Sequence, residues 1–334
     1  MVKNSIIWII GLAIALTSGL TAVGAIAEPV VPEAIAILAL GEPDHDKSKL
    51  MIEALSLSRR TPLVNTWMIA DSGAREDIPA LLGHYDTMLR TSSSAAVVVI
   101  PILVKALSND DFVPFFASLL TKQPPWANQF WRAVVGNPEA VGNAARLRGL
   151  LYKPNENDNI YYDAHLVRAL VNNQQFEAAE ALYSRLASQN RGTALLKNGS
   201  FKTEPEYAPI DWQLFSTGEY GAVVAGGKLQ LSAIRNSGGL FARQLVKLPA
   251  EVVTMEIKPG NPIPDNAEII VSLKCAQIIK DAPQAIRIPL RKQIANLQID
   301  NKGSGCSFYW LDINGRASSS GEGFDVAINA ISLR

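Results

Sequence analysis

The chain has 334 residues, 48% of them hydrophobic and 19% charged, with 31 basic against 31 acidic side chains. That neutral balance offers no basic footprint for nucleic acid, and nucleic acid is set aside as a partner. The length fits about two domains at roughly 100–200 residues each.

The N-terminus opens on Lys3, followed by an apolar run over residues 6–16 and a small, weakly polar stretch ending Ala25-Ile26-Ala27 before Glu28-Pro29. This is the layout of a cleaved signal peptide. The uncharged run over 4–27 is also long enough for a bilayer span of about 20 residues. Both readings stay open, with a slight preference for a retained anchor, and in both the rest of the chain is exported.

Residues 29–190 carry helix-period patterns. A short apolar segment over 32–40 either extends the leader or follows it. Residues 44–58 place Leu50, Met51, Ala54 and Leu55 on one face, with Asp44 or Asp46 as the cap. Further helices are expected over 62–70, 78–89 (Ile78, Leu81, Leu82 and Tyr85 on one stripe), 95–107 behind a Ser92-Ser93-Ser94 cap, and 112–120 behind Asp110-Asp111. Pro124-Pro125 breaks the chain and a helix resumes over 126–135. Two more come over 139–150 and 161–170, with a partner at 176–187. In that last pair Leu166, Leu170, Phe176, Ala179, Leu182 and Tyr183 resemble the two helices of a tetratricopeptide repeat, which implies a protein-binding scaffold. A plain α-bundle is the alternative.

Near residue 195 the rhythm changes. Asn198-Gly199 is turn chemistry. Gly226-Gly227 is a hairpin signal. Alternating runs over 211–215, 222–225, 228–234, 240–248, 252–257, 267–274, 286–290, 294–300, 307–314 and 324–333 give ten candidate strands at the spacing of an antiparallel sandwich. Phe201 and Trp212 are expected in its core. Cys275 and Cys306 are the only cysteines. In an oxidising compartment they most simply pair, and two separate buried thiols are the alternative.

Asn198-Gly199-Ser200-Phe201 followed by Asp211-Trp212 resembles the first strand of the jelly-roll modules found in many carbohydrate-binding domains. The resemblance covers about residues 195–334 and implies a glycan-binding sandwich. That family often has a Glu after the Phe as a calcium ligand. Lys202 stands there in this chain, and a cation does not coordinate a cation. The family's last strand often returns beside the first and carries an Asp, for which Asp325 is the matching position. The whole order, with Pro124-Pro125-Trp126 between the helices, resembles exported bacterial proteins discussed with exopolysaccharide or cell-envelope systems.

No catalytic motif is present: no zinc-protease His-Glu-x-x-His, phosphate loop, dinucleotide glycine pattern or Gly-x-Ser-x-Gly elbow. His45, His84 and His165 are scattered, and no spacing builds a metal site. The candidate sugar platforms are Tyr220, Phe241, Tyr309 and Trp310. Tyr309 and Trp310 are adjacent on a strand and point to opposite faces, so at most one of them is core.

The expectation is therefore an α+β chain in separate domains. Residues 1–27 form a signal peptide or membrane helix, 28–190 a tetratricopeptide-like helical domain, and 195–334 an antiparallel jelly-roll sandwich. It reads as a non-enzymatic, periplasmic protein anchored in the inner membrane, with no cofactor. Polysaccharide meets the sandwich, and a protein partner meets the helices. An envelope assembly factor without glycan binding and an unrecognised glycan-active enzyme are the alternatives.

Overall fold

The computed structural model describes residues 31–153, 160–187, 194–280, 282–290 and 295–334. The leader or anchor expected over 1–27 lies outside the described residues. Among the described residues, no helix is long and apolar enough to cross a membrane. The chain divides between Leu151 and Tyr152 into two compact units.

In the first unit the described residues form eight helices: α1 (Val31–Leu40), α2 (Asp44–Leu57), α3 (Pro62–Ala74), α4 (Ile78–Thr91), α5 (Ala95–Leu107), α6 (Val113–Leu120), α7 (Ala127–Val135) and α8 (Val141–Leu151). Periodicity placed all of them but α1, whose residues read only as a short apolar segment. Their caps differ from expectation. Pro43 precedes α2, and neither it nor Ser94 before α5 makes a side-chain cap bond; the Ser92 and Ser94 hydroxyls bond each other at 3.0 Å instead. Asp110 and Asp111 open a single 3-10 turn that is capped by Asn109, whose Oδ1 accepts from the Asp111 N–H at 3.1 Å. A short side chain one residue upstream reaches the orphan N–H better than the acids inside the turn.

Part of the core of this unit is an aromatic cluster. Phe116 stacks on Phe130 at 5.4 Å, and Trp126 and Trp131 meet Phe130 edge-on at 6.2 and 5.5 Å. Trp126, placed by the Pro124-Pro125 break, is buried, and its Nε1 donates to Asp86 Oδ1 at 2.8 Å. Burying that indole body while pairing its one donor satisfies both halves of the side chain.

The second unit holds two helices, α9 (Ile160–Asn172) and α10 (Phe176–Leu186), and the β-sandwich. Ten strands form two antiparallel five-stranded sheets among the described residues. The strands are β1 (Gln213–Leu214), β2 (Tyr220–Ala225), β3 (Lys228–Ala233), β4 (Gly238–Lys247), β5 (Val252–Pro259), β6 (Ala267–Cys275), β7 (Ile286–Pro289), β8 (Ala295–Asp300), β9 (Phe308–Ala317) and β10 (Phe324–Leu333). The first sheet runs β1-β4-β9-β6-β7 and the second β2-β3-β10-β5-β8. Gly226 and Gly227, both at positive φ, close the β2–β3 hairpin that the Gly-Gly pair signalled.

Alternation fills the space between the sheets. Leu229 and Leu231 of β3, Met255 and Ile257 of β5, Val271 and Leu273 of β6, Leu311 and Ile313 of β9, and Val326 and Ile328 of β10 share one core. Each such side chain contributes about 2 kcal/mol by leaving water.

The stretch 198–201 closes this core. Asn198 lies at positive φ; its side-chain oxygen accepts from the Lys202 N–H at 3.1 Å and its amide donates to Thr203 O at 2.6 Å. Gly199 O accepts from the Ile331 N–H of β10 at 2.8 Å. Phe201 and Trp212 are enclosed with ring centroids 5.5 Å apart, and the Trp212 indole donates to Asn198 O. The last strand thus meets the opening turn, while its sheet neighbours are β3 and β5 and β1 lies in the other sheet. Asp325 is used locally, accepting from Ser232 Oγ at 2.6 Å.

Cys275 and Cys306 are joined in a disulfide that ties the end of β6 to the segment before β9. The α9–α10 pair packs on the sandwich. Phe176 meets Phe308 at 5.3 Å, and Lys247 pairs with Glu177 at 2.7 Å.

Candidate functional site

The four candidate aromatics do not converge. Phe241 is fully enclosed in the core, between Tyr220 at 5.1 Å and Phe324 at 5.9 Å. Tyr309 also faces inward. Its hydroxyl donates to Asn301 Oδ1 at 2.5 Å, and Ser304 Oγ lies at 3.2 Å, so its polar end is spent on the loop that the disulfide holds. Neither ring has a free face. Tyr220 is half-buried at the rim, where it leans on Phe241. Trp310 is half-buried on the outside of the first sheet.

Strand parity explains the difference between the neighbours. Val246, Tyr309 and Cys275 are directly opposed across β4, β9 and β6, and all three belong to the core. Side chains one residue on point the other way. The row through Trp310 therefore runs Leu245–Trp310–Lys274 on the outer face, and the next outer row runs Gln213–Arg243–Asp312–Ser272–Arg287.

On that face Arg243 and Asp312 form a bidentate pair, Nε to Oδ1 at 2.6 Å and a terminal nitrogen to Oδ2 at 2.9 Å. The fork fixes the guanidinium plane. These hydrogen bonds raise the Arg243 pKa above its ordinary value, against an opposing pull from burial. The same guanidinium lies 4.8 Å from the centre of the Trp310 ring, within cation–π range. Lys274 and Arg287 are exposed and have no hydrogen bond or ion pair among the described residues. Ser272 between them adds a half-buried hydroxyl. The face thus combines one aromatic ring with a held guanidinium, a carboxylate, a hydroxyl and two unpaired cations. Such a surface can stack a flat apolar ligand face and hydrogen-bond its polar edge. Arg243, Asp312, Ser272, Lys274 and Arg287 were not singled out from sequence. Arg243 and Asp312 are 69 residues apart along the chain, and only the register assembles the group.

Two grooves lie elsewhere on the sandwich. One of about 630 Å³ is lined by Tyr220, Glu219, Ser232, Arg235 and Asp325 among others. The other, of about 550 Å³, includes Asn236, Asp265, Glu268 and Arg316. Among the described residues, no group of three or more His, Cys, Asp or Glu is placed to hold a metal ion.

No family model matches the chain, and no curated protein matches it. Solved structures similar to the sandwich region include carbohydrate-binding modules. A family 61 module in complex with β-1,4-galactotriose is 16% identical, covering 43% of this chain and 99% of that chain with a TM-score of 0.30. A family 4 module is 14% identical, covering 41% and 98% with a TM-score of 0.27. A family 29 module complexed with cellulohexaose is 10% identical, covering 42% and 88% with a TM-score of 0.22.

Proposed function

We propose that the protein binds a glycan on the outer face of β4, β9 and β6, with Trp310 as the stacking platform. The observation that supports this most is the partly buried Trp310 ring on the outer face, with an Arg243 guanidinium locked by Asp312 over one side of it. Sugars present flat C–H faces to aromatic rings and hydroxyls to charged hydrogen-bonding groups at the ring edge. A bidentate pair pre-orients those groups, so little side-chain freedom is lost on binding.

The wider reading is a non-enzymatic envelope protein that meets exopolysaccharide, with the helical unit as scaffold for a protein partner. The Cys275–Cys306 bond fits an oxidising compartment, and the uncharged run over 4–27 fits export. Electrophoresis of the full-length protein through gels containing single polysaccharides tests the binding. Retarded migration in at least one gel, lost in Trp310→Ala, is the expected result. Unretarded migration in every gel counts against it.

A further inference from the structure

The same face carries a charge pattern that says which glycan it takes, and the inference rests on the glycan-binding reading above. Asp312 is neutralised by Arg243 through two hydrogen bonds. Lys274 stands directly across from Trp310 on the neighbouring strand. Arg287 lies one strand further out, in the row of Asp312 and Ser272. Both cations are exposed and unpaired among the described residues. Among the described residues of these strands, the remaining charges offset one another. Lys247 is held by Glu177, and Arg316 faces Glu268 across the β9–β6 ladder. Among the described residues, the patch around the aromatic ring therefore has an excess of two positive charges.

We infer that the face is built for an acidic polysaccharide, one whose sugar units carry carboxylates, with Lys274 and Arg287 pairing the carboxylates of successive units on one side of the unit stacked on Trp310. The geometry fits a chain ligand. Trp310 and Lys274 are one strand apart, about 4.8 Å, and Arg287 is a further strand away. A polymer crossing the strands meets the ring first and the two cations in turn. A neutral glycan would have to leave both cations without a counter-charge against its own apolar ring faces. An acidic one supplies that charge, and Arg287 offers the planar fork that matches a carboxylate. Opposite charge on ligand and patch also makes the binding salt-sensitive.

The test is isothermal titration of the full-length protein with oligogalacturonates, with their methyl-esterified forms, and with neutral cello- and galacto-oligosaccharides, at low and at high salt. The methyl ester removes the charge and leaves the sugar backbone as it was. The expected result is binding of the free acid about tenfold or more tighter than its ester at low salt, with the gap closing at high salt. Lys274→Ala/Arg287→Ala should bring the acid down to the level of the ester, and Trp310→Ala should weaken both. Circular dichroism confirms that the variants are folded. Equal binding of acid and ester, or a double variant that still prefers the acid, overturns the charge inference and leaves glycan binding standing. Binding of none of these sugars, with retarded migration equally absent in every polysaccharide gel, removes both.

Discussion

Gly199 and Ile331 are in backbone contact: the Gly199 carbonyl accepts from the Ile331 N–H at 2.8 Å, and a β carbon on Gly199 would land on the Ile331 carbonyl oxygen. The opening turn of the sandwich is thereby pinned to its last strand, with no room for a side chain. Gly199→Ala is expected to destabilise the protein by about 3 kcal/mol, because the atom it meets is backbone and cannot rotate away. Urea denaturation followed by tryptophan fluorescence measures it. An unchanged midpoint would mean that the turn is not seated against β10.

Gln244 is fully buried, and its amide donates to Lys197 O at 2.9 Å while accepting from the Lys197 N–H at 3.1 Å. It acts as a surrogate peptide for a segment with no strand partner there. Gln244→Leu keeps the volume and strips both bonds, leaving two backbone groups unpaired at about 1–3 kcal/mol each. Loss of hydrogen-exchange protection at Lys197, ahead of the rest of the sandwich, is the expected signature.

The Cys275–Cys306 link closes a separation of 31 residues. In the chain-entropy account a loop of this size is worth about 3–4 kcal/mol. The double change Cys275→Ala/Cys306→Ala should lower stability by that amount and abolish the effect of reductant seen in the wild type. A wild-type protein indifferent to reductant would contradict the assignment.

His84 on α4 is half-buried, and burial, followed by the charge of Arg75, lowers its pKa below the ordinary 6.5. The unfolded chain therefore takes up the proton first. Stability from this site is full above pH 6.5 and is lost as pH falls from there through the lowered folded value. Melting temperatures between about pH 7 and pH 5 should fall more steeply for the wild type than for His84→Gln. Parallel slopes would show that His84 does not titrate with unfolding.

Much of this architecture was legible from residue periodicity. The helices from α2 onward, the change of rhythm near residue 195, the core role of Phe201 and Trp212, and the Gly226-Gly227 hairpin all come from local pattern and turn chemistry. Register did not. Parity showed that Tyr309 and Trp310 face opposite ways; the pairing of Tyr309 with Val246 and Cys275 decided which faces inward. Phe308 broke the simple rule, since it lies on the outer side and is buried all the same, under Phe176 of α10. Phe241 read as a platform because alternation does not distinguish a core face from a ligand face. Arg243 and Asp312 carried no signal in sequence, because each is an ordinary charged residue until β4 and β9 lie side by side.

Trp310 bears most of the functional reading, and titration of one bound oligosaccharide against wild type, Trp310→Phe and Trp310→Ala tests it most directly. The stacking account expects Trp310→Phe to retain most of the affinity and Trp310→Ala to lose about tenfold or more, with folding unchanged. Trp310→Ala binding as tightly as wild type would contradict it.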